Sequence, residues 1–178
     1  MRALVDDGSG RPEATTRGYR LPLSRREEGA PLLSIYGGKI TSYRHVAEET
    51  VSKLAPRVAA FSGPAWTARE PLPGGDFPRQ AQADLVADLQ RDYAFLSDRD
   101  ARRIGRAYGT RARKWLGGAR DWEDLGRCFG AGLTEAEVDY LRREEWALTA
   151  DDVLWRRTKL GLHMSAAEQA ALAEYLGS

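Results

Sequence analysis

Ser34-Ile35-Tyr36-Gly37-Gly38-Lys39-Ile40-Thr41-Ser42-Tyr43-Arg44 is a short apolar run that breaks at two glycines and restarts with helical spacing. Pro31, Leu32, Leu33, Ile35 and Tyr36 read as a buried strand, and Gly37-Gly38 permits positive φ and close approach of backbone to a ligand. From Ile40 onward, Ile40, Tyr43, Val46, Ala47, Thr50, Val51 and Leu54 recur at the period of one helix face. The stretch predicts a strand turning sharply into a helix. Amides around Lys39 to Ser42 then lack intrahelical acceptors, and with the helix dipole they favour an anion or an electron-rich ring. A purely structural turn is the competing reading, since Gly-Gly is also common where a strand meets a helix.

Working outward, residues 14–23 and 31–36 predict two strands joined by a polar loop over 24–29. Two strands alone are marginal, so they need a further sheet or helices to cover them. Asp6-Asp7-Gly8-Ser9-Gly10-Arg11-Pro12 is turn-rich with no element before it to connect, so Met1 reads as a cut boundary or an internal residue. Downstream, the breaker clusters at 62–66 and 71–75 predict a linker over 63–75 with Trp66 as an ordered anchor.

Beyond Asp76 the pattern is helical. Leu85, Val86, Leu89 and Tyr93 define an amphipathic helix over 81–93. Four later starts carry a capping-box spacing or its Asp variant: Ser97 with Asp100, Thr134 with Glu137, Thr149 with Asp152, and Ser165 with Glu168. Those helices are expected to end near Tyr108, Trp146, Leu162 and Leu176. Shorter helices are expected over 110–116 and 121–125, separated by Gly117-Gly118. The expected fold is α+β and predominantly α: a short β segment and one helix within 1–62, the linker at 63–75, and a helical bundle over 76–178.

Composition narrows the function classes. The 178 residues are 42% hydrophobic with a formal net charge of +1, and bases are interleaved with acids, as in Arg142-Arg143-Glu144-Glu145. That is not the one-sided basic field that nucleic acid requires, so no nucleic-acid partner is expected. Cys128 is the only cysteine, which excludes an internal disulfide and fits a reducing compartment; with only His45 and His163 besides, no metal site is expected. No apolar run approaches a bilayer span, and the chain as given reads as soluble.

Within the bundle, Trp115, Trp122, Trp146 and Trp155 fall on apolar faces and are expected in the core. Asp151-Asp152-Val153-Leu154-Trp155-Arg156-Arg157-Thr158-Lys159-Leu160-Gly161 places acids in the first turn of a helix and bases later, which suits the dipole and pairs Asp152 with Arg156. Its bases cover more than one face, so one guanidinium is available to a neighbouring domain. His45 and His163 read as ordinary polar helix residues.

Arg2 with Asp6-Asp7, Thr16-Arg17-Gly18-Tyr19 and the stretch from Pro31 to Arg44 together resemble the carboxy-terminal part of the FAD-dependent glycerol-3-phosphate dehydrogenases. Gly63-Pro64-Ala65-Trp66, Leu72-Pro73-Gly74-Gly75, Tyr108-Gly109 and the run from Asp151 to Leu162 match that family in order and spacing. The resemblance spans essentially the whole chain. The amino-terminal half with its glycine-rich fingerprint for FAD is missing, because no G-x-G-x-x-G follows a strand here. The resemblance therefore implies a fragment that is inactive alone.

For the full-length parent it implies oxidation of sn-glycerol 3-phosphate to dihydroxyacetone phosphate, with hydride passing to FAD and electrons onward to quinone. It implies peripheral attachment at the cytoplasmic, inner face of the cell membrane, and it leaves room for a homo-oligomer. By the same resemblance Arg2 and Arg17 bind substrate, and Lys39 is a catalytic and substrate-binding lysine. Gly37, Gly38, Ile40 and Thr41 are cofactor-facing, and the base that takes the C2 hydroxyl proton lies in the missing part. The bundle is then a cap concerned with stability, assembly or partner contact. The alternative is a stand-alone helical protein-protein interaction module, with Gly37-Gly38-Lys39 a structural turn.

Overall fold

Gly37 and Gly38 adopt φ of 74° and 98°, and the chain turns there from strand to helix, in a computed structural model that describes residues 18–24 and 29–177. The candidate substrate residues Arg2 and Arg17 lie outside the described residues. Strand β1 (Tyr19–Arg20) pairs antiparallel with β2 (Tyr36–Gly37), Tyr19 opposite Gly37 and Arg20 opposite Tyr36. The ladder continues irregularly: Ser24 N–H donates to Leu32 C=O at 2.8 Å, and Ser34 N–H to Pro22 C=O at 3.0 Å. Among the described residues the regular pairing is thus short, because Pro22 and Pro31 have no N–H to give and interrupt the ladder; residues 14–17 of the first expected strand lie outside the described residues.

After the turn, a 3-10 turn (Ile40–Ser42) leads into α1 (Tyr43–Leu54). Three side-chain ties hold α1 to the hairpin and to the segment that follows. Tyr19 Oη donates to Glu49 at 2.7 Å, Lys53 Nζ donates to Leu21 C=O at 3.4 Å, and Thr67 donates to Glu48. Contacts divide the chain into two compact units, Met1–Glu70 and Pro71–Ser178. Among the described residues of the first unit only Leu21 is a buried hydrophobic, and α1 buries none of its residues. Trp66, read as an anchor, is exposed.

The second unit has a core of its own. It contains α2 (Gln82–Asp92), α3 (Asp98–Tyr108), α4 (Arg113–Leu116), α5 (Glu135–Glu145) and α6 (Ala166–Leu176). Leu85, Val86 and Leu89 of α2 fall on one face at helical spacing and are buried, as are Ala101, Ile104 and Tyr108 of α3. Leu116, Leu133, Val138, Leu141, Val153 and Leu172 complete the centre. Trp115 is buried and Trp122 packs at the edge, as expected, whereas Trp146 and Trp155 are exposed. Among the described residues no helix is long and apolar enough to cross a membrane.

Three of the four capping signals form. Ser97 Oγ accepts from Asp100 N–H at 3.1 Å; Ser165 Oγ accepts from Glu168 N–H at 3.3 Å while Glu168 takes Ser165 N–H at 2.7 Å. Asp152 accepts Thr149 N–H at 3.0 Å and Thr149 Oγ1 accepts Asp152 N–H at 3.2 Å. The helix that follows is not the α-helix expected to reach Leu162. It is a π-helical turn (Asp152–Arg157), closed by Thr158 N–H on Val153 C=O at 3.0 Å, and Lys159 ends it at φ 62°. The Thr158 hydroxyl also donates to Val153 C=O, at 2.7 Å, and competes with the regular i−4 bond.

The fourth spacing starts its helix at Thr134 and ends it at Trp146 as expected, but without the capping bonds. Thr134 Oγ1 makes no hydrogen bond, and Glu137 turns inward to 0% exposure. There it receives Arg103 Nη1 and Nη2 at 2.6 and 2.9 Å and the Tyr108 hydroxyl at 2.6 Å. Burial, and then the Glu137 carboxylate, hold the Tyr108 phenol well above the ordinary tyrosine range. Because its folded value is raised, the stabilisation is complete below the unfolded value and disappears as alkaline pH rises towards the folded one. Tyr108→Phe is expected to flatten the alkaline decline of the melting temperature; an unchanged alkaline slope would remove Tyr108 from that role.

A hairpin was also missed. Strands β3 (Cys128–Gly130) and β4 (Leu133–Thr134) pair through Ala131-Gly132, both at positive φ as a tight two-residue turn requires. It buries Phe129 and Leu133.

Two glycines of this unit are fixed by close approach. Thr110 N–H donates to Gly74 C=O at 3.1 Å, and a Cβ on Gly109, at φ 56°, would lie 1.8 Å from the Gly74 oxygen. Gly109→Ala is expected to cost more than about 1 kcal/mol, through strain plus displacement of the 72–75 turn. A thermal melt of the variant checks this, and an unaltered midpoint would contradict it.

Candidate functional site

The turn at Gly37-Gly38-Lys39 is built by backbone. Gly38 N–H donates to Gly18 C=O at 2.8 Å, which extends the hairpin through the bend. Lys39 is extended, with φ −97° and ψ 147°, and its N–H donates to Ser42 Oγ at 3.2 Å. The Ser42 hydroxyl returns a bond to Lys39 C=O at 2.8 Å, and Ser42 N–H donates to the same carbonyl at 2.9 Å. This is the first helical bond. The amides of Ile40 and Thr41 precede it, and both residues are exposed.

An open groove of about 580 Å³ runs from this turn along α1, bordered by Gly37, Gly38 and Lys39 at one end and by Tyr43, Val46 and Thr50 along the helix. Its walls are apolar residues at the spacing the sequence predicts, and Ile40 is 85% exposed. Lys39 is exposed as well. Arg44, the other cation of this stretch, is committed elsewhere: it pairs with Glu48 at 3.1 Å and reaches Thr67 Oγ1 at 3.5 Å. The Thr67 hydroxyl, followed by Arg44, holds the Glu48 carboxyl below its usual range. Tyr19 and then Lys53 do the same for Glu49. These carboxylates are structural ties, and Lys39 takes part in neither ion pair.

The described geometry thus brings Gly37, Gly38, Lys39 and Ile40 to one edge of a largely apolar groove, while Thr41 follows in the 3-10 turn and does not line it. The Glu49–Tyr19 tie that sets α1 against the hairpin and the Glu48–Thr67 tie that sets it against the following segment are not specified by local sequence. The i,i+4 spacing of Arg44 with Glu48 and of Glu49 with Lys53 signals only the ion pairs within α1.

A family model described as the C-terminal domain of alpha-glycerophosphate oxidase matches residues 65–176. The chain belongs to this family. Among curated relatives it is 47% identical, over 100% of its length and 34% of the relative's, to a glycerol-3-phosphate dehydrogenase of Pseudomonas aeruginosa. It is 43% identical to an aerobic glycerol-3-phosphate dehydrogenase of Escherichia coli, over 99% of this chain and 35% of that one. To a D-erythritol 1-phosphate dehydrogenase of Brucella abortus it is 42% identical, over 98% and 34%. The chain therefore spans about a third of the length of the curated relatives it matches. The family resemblance drawn from the motifs holds.

Proposed function

We propose that this chain is the carboxy-terminal part of an FAD-dependent glycerol-3-phosphate dehydrogenase, whose full-length form oxidises sn-glycerol 3-phosphate to dihydroxyacetone phosphate and passes the electrons through FAD to quinone. The observation that carries this reading is 47% identity extending over 100% of the chain to a relative of that name. The proposed setting is peripheral, at the cytoplasmic face of the cell membrane.

The residues at the turn suit a flavin edge. Gly37 and Gly38 present bare backbone at positive φ, and a Cβ on Gly38 would meet Tyr19 Cβ at 3.6 Å and Ser42 Oγ at 3.9 Å, ordinary contact distances, so glycine is favoured there by its φ of 98°. When bound, FAD supplies the hydride acceptor for the substrate C2 hydrogen. The chain's own groups do the rest by charge and position. The Ile40 and Thr41 amides offer donors to an electron-rich oxygen, and the Lys39 ammonium offsets negative charge at the same edge. Arg2 and Arg17, which lie outside the described residues, are proposed to bind the substrate, since a guanidinium fork suits its phosphate or the C2 oxygen. The proton acceptor for the C2 hydroxyl belongs to the remaining part of the polypeptide.

The isolated chain is expected to show no glycerol 3-phosphate-dependent dye reduction, whereas the longer polypeptide shows it; turnover by the purified chain would overturn the division of the site. The D-erythritol 1-phosphate dehydrogenase relative, at 42% identity, favours a second reading of the substrate alone. Comparing kcat/KM for the two polyol phosphates decides between them.

A further inference from the structure

From Pro71 onward the exposed large hydrophobics among the described residues are Leu72, Trp146, Leu148, Trp155 and Leu162, so all but Leu72 lie between 146 and 162. Trp146 is 82% exposed, Leu148 73% and Leu162 71%. They belong to one corner. Arg157 Nε donates to Glu145 C=O at 2.9 Å, tying the π-helical turn to the end of α5. Asp152 accepts from Leu148 N–H at 3.1 Å, and the Trp155 ring lies so close over Gly161 that a Cβ there would come within 2.6 Å of it. Gln169 Nε2 fixes the far side by donating to Gly161 C=O at 3.2 Å.

The backbone is held in uncommon conformations to make this corner. Trp146 ends α5 at φ 56° and Lys159 ends the π-helical turn at φ 62°, both left-handed without being glycine. A tryptophan 82% exposed in that conformation gives little to the core beneath it. A preformed, exposed apolar corner whose hydrogen bonds are already satisfied has the character of an interface anchor.

Charge selects the kind of partner. Between 139 and 163 the cations are Arg142, Arg143, Arg156, Arg157 and Lys159, and the anions are Asp139, Glu144, Glu145, Asp151 and Asp152. The two sets balance. An anionic lipid surface would draw on a cationic excess, which is absent here, while tryptophan with arginine is the composition of protein-protein anchors. About two thirds of each relative's length lies outside the region this chain matches, and a tethered portion of one polypeptide meets such a surface at high effective concentration.

We infer that Trp146, Leu148, Trp155 and Leu162 form the surface by which the helical unit docks against the flavin-binding portion of the same, longer polypeptide, an inference that rests on the function proposed above. Hydroxyl-radical footprinting of the 178-residue chain and of the full-length polypeptide tests it. Trp146 is expected to be oxidised readily in the former and severalfold less in the latter, at every protein concentration and without lipid. Equal oxidation in both would overturn the inference. Protection that grows with protein concentration would assign the surface to a second copy, and protection only with anionic vesicles would assign it to lipid; either outcome defeats it. Leu148→Asp with Leu162→Asp is expected to lower the melting midpoint of the full-length protein and leave that of the 178-residue chain unchanged. Flavin content and dye reduction, measured on the same samples, report separately on the proposed function: a colourless, inactive protein with Trp146 protected would remove the flavin reading while keeping the docking surface.

Discussion

Lys39→Ala in the full-length polypeptide is expected to lower turnover with glycerol 3-phosphate by roughly a hundredfold, the usual scale for removing one preorganised electrostatic partner of a developing charge. The expectation rests on the position of Lys39 between two glycines at positive φ and the free Ile40 and Thr41 amides. The groups beside it in the turn are backbone amides and the neutral Ser42 hydroxyl, so nothing in the turn takes over its charge, and Arg44 is held by Glu48 at 3.1 Å. Because Lys39 is exposed and contributes to neither ion pair of α1, the substitution leaves the fold intact. Lys39→Arg separates charge from shape: it keeps the charge and alters the donor geometry, so partial recovery is expected. Steady-state kinetics with an artificial electron acceptor give the measurement. A kcat loss with KM nearly constant would place the lysine against the transition state, a KM rise alone would place it on the substrate phosphate, and unchanged kinetics would remove it from the site.

Glu137→Ala is expected to destabilise the helical unit by about 3–5 kcal/mol, because it strands a buried guanidinium. Arg103 side-chain exposure is 19% and that of Glu137 is 0%, and the two make a bidentate pair at 2.6 and 2.9 Å. Burial lowers the guanidinium's hold on its proton, and Glu137 outweighs that, so the net shift is upward. Without the carboxylate, Arg103 keeps the Gly132 carbonyl at 2.9 Å as its hydrogen-bond partner among the described residues, with Asp100 as a remaining nearby anion, and the Tyr108 hydroxyl loses its acceptor. A fall in melting midpoint on the order of 10–20 °C follows from that free energy in a unit of this size. Replacing Arg103 and Glu137 together by leucine and methionine is expected to recover most of the loss, since the cost comes from the unpaired charge and much less from the missing pair. Calorimetry of Arg103→Leu, Glu137→Met and the double variant supplies the cycle. A single-variant loss within 0.5 kcal/mol, by the additivity scale of distant surface changes, would show that water already reaches this pair.

The two units were not equally legible. The turn and helix around 37–54 follow from local rules, because apolar spacing and two glycines specify the same bend within a few residues; the buried strand read over 31–36 does not form, since regular pairing there is confined to Tyr36–Gly37 and Leu32, Ile35 and Tyr36 are exposed. Ser97 and Ser165 announced their helices for the same reason. Thr134 and Glu137 present an identical spacing, yet Glu137 is drawn across to Arg103, whose approach depends on how α3 packs on α5. The hairpin of β3 and β4 was hidden inside a helical pattern, with Ala131-Gly132 its only mark. At 151–162 the periodicity promised a plain helix, and the Thr158 hydroxyl with left-handed Lys159 made it a π-helical turn.

By itself the sequence determined the family, the predominantly α character and the glycine-glycine-lysine edge, because each depends on residue identities in unbroken local order. Only the tertiary structure decided that Arg44 reaches Thr67, that Glu137 is buried, and that Trp146 stands in solvent while Trp115 does not. Those outcomes depend on which side chains meet across more than a dozen residues, and burial is settled by neighbours that spacing along the chain does not name.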